Sequence, residues 1–153
     1  MSRFGSNAQR GALAVWMLLG GCASQVPNAD TGSASEATRR ALACTLPSNC
    51  VDSLGSRGQL PLQYAGTPAQ AMAALQATLS TFPEARVVRS EPLLLDAIFT
   101  TPVGFKDQVE FRIDAQNQRI DFRSRSMFGL FDFGKNRRRM QAFAARFEQD
   151  GGR

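Results

Sequence analysis

Residues 108–125 read QVEFRIDAQNQRIDFRSR, and this stretch decides the fold. Apolar side chains stand at every second position of residues 108–114, and in residues 119–125 they stand at positions 120 and 122. Strands with one face on a core and the other in solvent show this period of two. The pattern predicts a β-hairpin whose loop is residues 115–118.

A four-residue loop sets the register of this hairpin. In that register every polar pair across the strands joins opposite charges, and such pairs contribute about 0.2–1 kcal/mol each. A slip by one residue would turn the apolar set to solvent. The expected facing pairs are Ile113 with Ile120, Phe111 with Phe122, Asp114 with Arg119, Arg112 with Asp121, and Glu110 with Arg123.

A helix and two further strands are predicted before the hairpin. Thr67 and Pro68 suit an N-cap and a first helical position, and apolar residues then recur at spacings of three and four until Pro83. The recurring residues are Met72, Leu75, Leu79 and Phe82. Residues 86–91 and 93–101 are rich in Val, Leu, Ile and Phe, as strands are.

A second helix is predicted after the hairpin, with Asp132 as its N-cap. Its apolar stripe consists of Met140, Phe143, Ala144 and Phe147. At 100° per residue, Asn136 falls on that stripe, Arg137 and Arg139 flank it, and Arg138 points away. The expected fold of residues 42–150 is therefore an α+β domain with a mainly antiparallel sheet of about four strands covered by two helices.

The first 22 residues read MSRFGSNAQRGALAVWMLLGGC and are typical of a signal peptide. Their apolar stretch would span about 14 Å as a helix, roughly half of a hydrocarbon core, which is too short for a membrane anchor. The sequence LGGC at 19–22 resembles the bacterial lipobox, so we expect residues 1–21 to be removed and Cys22 to be acylated. An ordinary secretory signal that leaves Cys22 as a thiol is the alternative.

Location changes how the net charge of +5 is interpreted. Part of it lies in the signal peptide, and an exported protein meets no genome, so nucleic acid is not an expected partner. The expected contact is with the membrane, through the N-terminal lipid. Ala23 and Ser24 follow the cysteine with no Asp, which favours the periplasmic side of the outer membrane. Residues 22–41 are poor in apolar side chains, and we expect them to be a lipidated cysteine and a flexible tether.

Two cysteines remain, Cys44 and Cys50, and an oxidising compartment favours a disulfide between them. Such a short loop would constrain the unfolded chain by roughly 2 kcal/mol. A redox pair would favour the spacing C-x-x-C, and a metal site would need more ligands than two cysteines in a chain without histidine. We expect neither a metal nor a cofactor.

Basic residues near the start of the last helix allow two interpretations. One is an ion-pair and hydrogen-bond cluster that ties the helix start to the sheet. The other is a small anion site at the helix N-terminus, although an Asp at the cap would compete with an anion there. The residues concerned are Asp107, Arg125, Asp132, Asn136, Arg137 and Arg139.

The connection at 127–133, MFGLFDF, is unusually apolar. We expect some of it to cover the open face of the sheet. Alternatively, exposed rings of Phe128 and Phe131 beside Phe105 would form a patch suited to a protein partner or to lipid.

Catalytic groups are scarce in this sequence. The chain has no histidine, and neither Ser124 nor Ser126 has an evident general base. A carboxylate pair of Asp107 and Glu110 would be the basis of a hydrolase, but Glu110 is expected to pair with Arg123.

The chain resembles the bacterial family called domain of unknown function 1499 over roughly residues 42–147. The resemblance rests on Cys44, Pro47, Asn49, Cys50, Val51, Ser53, Thr101, Pro102, Gly104, Phe105, Asp107, Val109, Glu110, Phe111, Arg123, Ser124, Ser126, Gly129, Asp132, Gly134, Asn136, Arg137 and Arg139. It implies a compact envelope domain, often a lipoprotein, with no assigned activity. Gln108 and Met127 replace charged residues of the family pattern, and Phe131 replaces a small polar residue.

These observations favour an outer-membrane lipoprotein that is a non-catalytic binding or structural module, with a possible envelope protein partner. The competing hypothesis is an envelope hydrolase that uses Asp107 or Glu110.

Overall fold

The computed structural model describes residues 31–55 and 59–149. The predicted signal peptide, Cys22 and the first part of the predicted tether lie outside these residues. The elements in chain order are α1 (Thr31–Ala41), β1 (Cys50–Asp52), β2 (Leu62–Gln63), α2 (Pro68–Ser80), β3 (Ala85–Glu91), β4 (Leu94–Thr100), β5 (Lys106–Asp114), β6 (Arg119–Ser126) and α3 (Lys135–Gln149).

The fold is α+β, as expected, with an open antiparallel sheet. The strand order is β1-β6-β5-β4-β3, and β2 pairs with β6 beside β1. The sheet has six strands instead of about four, and the described residues form three helices instead of two. The strands that were not predicted, β1 and β2, have three and two residues, which is too short for an alternating pattern to show.

The hairpin of β5 and β6 has the predicted register in all five pairs. Two of the three expected ion pairs form: Arg123 with Glu110, and Arg119 with Asp114 at 3.2 Å. The prediction of an ion pair between Arg112 and Asp121 is wrong. Arg112 instead binds Asp96 of β4 at 2.8 Å, while Asp121 is bound by Arg119. The sheet continues on both sides of the hairpin, so each long side chain reaches a neighbouring strand as easily as its facing residue.

Helices α2 and α3 cover the apolar face of the sheet. Thr67 and Pro68 begin α2 as predicted, with a full capping box between Thr67 and Gln70. Phe143 of α3 lies at the centre of the core, 4.9 Å from the ring of Phe111 and 5.9 Å from that of Phe82. The burial of each such ring stabilises the fold by roughly 1.5–3 kcal/mol. The side chains of α2 and α3 thus fill the apolar face of the sheet.

Residues 31–41, which we expected to belong to a flexible tether, form helix α1. Its last turns contact the charged face of the sheet: Arg39 lies 3.5 Å from the carboxylate of Asp121, and Arg123 donates to the carbonyl of Ala41 at 2.9 Å. Low apolar content predicted no packing here, but α1 packs through charge and backbone contacts. No helix of the described ranges is long and apolar enough to cross a membrane.

Candidate functional site

One end of the sheet brings together most of the residues that the sequence singled out. The turn at 101–105 precedes β5, and the connection at 127–133 follows β6, so antiparallel pairing places the two side by side. The backbone N–H of Met127 donates to the carbonyl of Lys106 at 3.0 Å and closes the sheet at this end. We call residues 101–105 the turn and residues 127–133 the loop.

A buried ion pair lies beneath this end of the sheet. Nη2 of Arg139 on α3 lies 2.6 Å from Oδ2 of Asp107 on β5, and both residues are buried. The other carboxylate oxygen of Asp107 accepts from the Ser126 hydroxyl at 2.7 Å. The guanidinium of Arg139 also stacks 4.7 Å from the centre of the Phe99 ring. These contacts fasten the first turn of α3 to two adjacent strands.

Asn136 is the centre of the same hydrogen-bond network and is fully buried. Its Oδ1 accepts from the hydroxyl of Ser124 at 2.7 Å and from Arg139 at 2.6 Å. Its Nδ2 donates to the carbonyl of Asn49 at 3.1 Å and to the Ser126 hydroxyl at 3.2 Å. Every polar atom of the amide therefore has a partner, as a buried polar group requires.

Asp132 occupies the helix start. Its carboxylate accepts from the backbone N–H of Gly134 at 2.8 Å and of Asn136 at 2.9 Å. Helix α3 begins at Lys135, so Asp132 caps it from outside the first turn and not as the immediate N-cap. An anion would have to displace this carboxylate from the start of α3. The hydrogen bonds of Asp132 therefore fit the ion-pair and hydrogen-bond cluster and not the anion site.

Arg125 does not have the position that the cluster interpretation gave it. Successive side chains of a strand point to opposite faces, so Arg125 lies on the face away from Ser124 and α3. It is exposed and donates to Gln108 at 2.8 Å. Arg137 follows Asn136 on α3 and is half-buried.

The loop is exposed, and the expectation that part of it covers the sheet is wrong. Phe128, Phe131 and Phe133 are 78%, 69% and 87% exposed. The apolar face of the sheet is already filled by α2 and α3, which leaves the loop nothing to cover. The exposed large apolar side chains at this end, which we call the apolar surface, are Val103, Phe105, Met127, Phe128, Leu130, Phe131 and Phe133.

The apolar surface is held in one conformation despite its exposure. The Phe105 and Phe128 rings stack across the turn and the loop, with centres 6.4 Å apart and planes 6° from parallel. Asn49 Nδ2 donates to the carbonyl of Gly129 at 2.6 Å, and the N–H of Asp132 donates to the carbonyl of Ser48 at 3.1 Å. These bonds fix both ends of the segment that carries Phe131.

The backbone of the loop is also strained. Phe133 has a φ of 53°, in the left-handed region that side chains other than glycine rarely adopt. Gly129 has a φ of 89° and Gly134 a φ of 73°. Non-glycine residues with such backbone angles cost of order 1 kcal/mol or more and cluster at functional sites. Among the described residues, the most exposed aromatic ring is thus held at an unfavourable backbone angle.

A disulfide closes the segment of the chain that binds the loop. Cys44 and Cys50 are bonded, as expected, with their Cα atoms 5.7 Å apart. The segment that they close carries Ser48 and Asn49, the two residues that bind the loop. Sequence reasoning missed this role, although Asn49 stood among the residues of the family resemblance.

Basic side chains surround the apolar surface, and the sequence analysis missed two of them. Lys106 follows the turn and is exposed, while Lys135 begins α3 and is half-buried. Arg138, expected to be solvated, is exposed and donates to the carbonyl of Phe133 at 3.0 Å. Their sequence positions next to Phe105 and Phe133 were the available signal.

The two candidate catalytic carboxylates do not share a site. Asp107 and Glu110 point to opposite faces of β5; Asp107 binds Arg139 and Glu110 binds Arg123. Glu110 lines a groove of about 520 Å³ between α1 and strands β4 and β5, beside Arg112. Within the described residues no group of three or more His, Cys, Asp or Glu could hold a metal ion.

Comparison with known proteins agrees with the resemblance found in the sequence. No curated protein matches the chain. A family model described as "protein of unknown function (DUF1499)" matches residues 41–147, which is more than half of the chain and includes the disulfide, the sheet and α3. The chain belongs to the DUF1499 family of proteins of unknown function.

Proposed function

We propose that this protein is a non-catalytic binding module of the bacterial cell envelope, attached to the outer membrane through an acylated Cys22 and facing the periplasm. The apolar surface is its binding surface. The observation that carries the proposal is that seven large apolar side chains are exposed at one end of the domain on segments fixed by hydrogen bonds.

Exposure of so many rings in one place needs a physical reason. Contiguous apolar patches on a soluble domain mark surfaces that bind a protein or a membrane. A loop that is already ordered loses less conformational entropy when it binds, which increases affinity. The Cys44–Cys50 disulfide serves this preorganisation, because it constrains the segment whose Ser48 and Asn49 bind the loop.

An envelope hydrolase that uses Asp107 or Glu110 has less support. A general acid or base must be able to reach a substrate, but the Asp107 carboxylate is buried and already binds Arg139 and Ser126. Glu110 lines a groove but forms a close ion pair with Arg123.

Photo-crosslinking in intact cells tests the proposed binding surface. A photoreactive amino acid at position 131 is expected to give a specific adduct, whether to protein or to lipid. The matched control is position 60, because Leu60 is also exposed, at 76%, but precedes β2 at the other end of the sheet. Phe133→Ser should weaken the adduct from position 131. Equal labelling from positions 131 and 60 would contradict the proposal.

The attachment is tested separately. Cys22→Ser, or treatment with globomycin, is expected to cause accumulation of the uncut precursor, which gel mobility and mass spectrometry detect. A product that is cut normally after Cys22→Ser would refute lipidation without affecting the binding surface.

A further inference from the structure

The proposed function leaves the occupant of the apolar surface unnamed. We propose that this occupant is a lipid bilayer with anionic headgroups: the phenylalanine rings enter the interface, and the surrounding cations contact lipid phosphates. This inference rests on the proposed function, since it names the partner of the same surface.

The shape of the apolar surface fits a bilayer better than a protein cleft. Its side chains stand out from the tips of two adjacent connections, and Phe128 and Phe133 are each more than three quarters exposed. Two grooves of the described surface are lined by other residues, around Glu110 in one and Arg139 in the other. Projecting aromatic and aliphatic side chains insert into the headgroup and acyl boundary, where the depth of burial is about 5–10 Å.

The charges around the apolar surface match an anionic headgroup layer. The cations are Lys106, Arg125, Lys135 and Arg138, and across the described ranges none of them forms an ion pair with a carboxylate. Exposed rings with unpaired cations beside them bind the bilayer surface in two ways at once. The rings enter the acyl boundary, and the cations contact the anionic headgroups.

The acidic groups near this end of the sheet do not oppose such contact. Asp107 is buried against Arg139, and Asp132 is half-buried and caps α3. Glu84 is exposed, but it lines a groove together with Lys135 on the side of α2. Four basic side chains and one exposed carboxylate, that of Glu84, therefore lie near the apolar surface, and the net charge there is positive.

Because the loop is held rigidly, its contact with the bilayer would orient the domain. An N-terminal acyl group would hold the domain near the membrane but would not orient it. A second contact through a fixed loop orients the domain, with the disulfide end of the sheet toward the bilayer and the hairpin loop at 115–118 away from it.

Depth-dependent fluorescence quenching tests this arrangement on the full chain. Trp16 is the only tryptophan and lies in the expected signal peptide, so the acylated chain accepts one reporter, placed by Phe128→Trp in the loop or by Asn117→Trp in the hairpin loop at the other end. Each protein is incorporated into vesicles of phosphatidylethanolamine and phosphatidylglycerol with brominated acyl chains. We expect a blue shift and strong bromine quenching at position 128 and little of either at position 117.

The contribution of the cations is measured with a chain that begins at residue 22 and carries Cys22→Ser, so that it has neither the signal peptide nor the acyl group. We expect this chain to bind vesicles through the apolar surface. Lys106→Gln and Lys135→Gln should each weaken sedimentation with phosphatidylglycerol vesicles about fivefold. Phosphatidylcholine vesicles should show no such dependence. Circular dichroism of each variant establishes that the fold is retained, and Arg89→Gln, at an exposed pair on β3, is the matched control that should leave binding unchanged.

Two results would overturn the bilayer assignment. One is equal quenching at positions 128 and 117 of the acylated protein. The other is binding of Lys106→Gln and Lys135→Gln as tight as that of the parent chain. In either case a specific protein adduct from position 131 in cells would leave the proposed binding surface standing, with a protein as its occupant. Absence of any specific adduct as well would remove both proposals.

Discussion

Nη2 of Arg139 lies 2.6 Å from Oδ2 of Asp107, and this contact joins helix α3 to strand β5 where both are closed to solvent. Buried charges are costly unless they are paired and hydrogen-bonded. Here both conditions hold, because Ser126 donates to the other oxygen of Asp107 and Asn136 accepts from Nη1 of Arg139. The first turn of α3, and with it the end of the loop, is therefore tied to the sheet at this point.

Replacement of one partner should be strongly destabilising. Asp107→Asn keeps the shape of the side chain but leaves the Arg139 guanidinium buried without a counter-charge, and such changes cost about 3–5 kcal/mol. The measurement is the free energy of unfolding in urea. The matched control is Glu91→Gln in the exposed pair with Arg89, where both side chains are 51% exposed and the expected loss is below about 1 kcal/mol.

A double variant separates the charge pair from simple packing. Asp107→Asn combined with Arg139→Met removes both charges, so it should cost clearly less than the sum of the single changes. An Asp107→Asn variant as stable as Glu91→Gln would show that the pair does not hold α3.

Asn136 should be nearly as sensitive as the ion pair. Asn136→Ala removes the acceptor of the Ser124 hydroxyl and the closest acceptor of Arg139 Nη1, and each unsatisfied buried group costs about 1–3 kcal/mol. Thermal and urea unfolding both measure the loss. Asn117→Ala, in the exposed hairpin loop, is the control and should stay within about 0.5 kcal/mol. Similar losses at positions 136 and 117 would argue against a central role for the buried amide.

Loss of the disulfide should loosen the loop as well as lower stability. The double change Cys44→Ser and Cys50→Ser should cost about 2 kcal/mol. Hydrogen exchange should accelerate most at the amide of Asp132, which donates to Ser48. The amide of Phe122, which donates to Ser53 outside the disulfide loop, is the internal control. Equal acceleration at both amides would mean that the disulfide gives only global stability.

The single tyrosine should make the domain less stable in alkali. Burial raises the pKa of the Tyr64 phenol above its ordinary value of 10.0, and the Asp114 carboxylate raises it further. The unfolded chain therefore releases this proton at a lower pH than the folded one, so the stabilisation is complete below the ordinary pKa and is lost as the pH rises through the folded pKa. Phenolate absorbance follows the titration directly, because the chain has one tyrosine.

Tyr64→Phe is the control for that pH dependence. Its hydroxyl has no hydrogen-bond partner within the part of the chain that the structure describes, so its removal should cost little at neutral pH. Above about pH 10 the variant should lose less stability than the parent. A folded protein whose phenol titrates at the ordinary pKa would contradict this prediction.

Sequence patterns predicted those parts of the fold that depend on residues close together in the chain. The hairpin register follows from alternation and loop length, and Thr67 with Pro68 begins α2 as expected. Strands β1 and β2 escaped prediction because a period of two cannot show in three residues or two. Helix α1 escaped because its partners, Asp121 and Arg123, are distant in the chain.

The candidate site was predicted unevenly for the same reason. Helical periodicity placed Asn136 on the apolar stripe and Arg139 beside it, and the structure has both of them buried. It could not show that Asp107 pairs with Arg139, because the two are 32 residues apart. Lys106 and Lys135 near the apolar surface were missed because they belong to two different elements, β5 and α3.

The sequence by itself determined the α+β class, the hairpin register, the helix start at Thr67 and the pairing of the two cysteines within the domain. These depend on spacing between near neighbours, and the physics of strands, caps and short covalent loops acts over a few residues. Only the tertiary structure decided that residues 127–133 stay exposed, because that depends on how much apolar sheet α2 and α3 leave uncovered. The burial of a side chain depends on all the elements that pack around it, so it does not follow from the sequence of one segment.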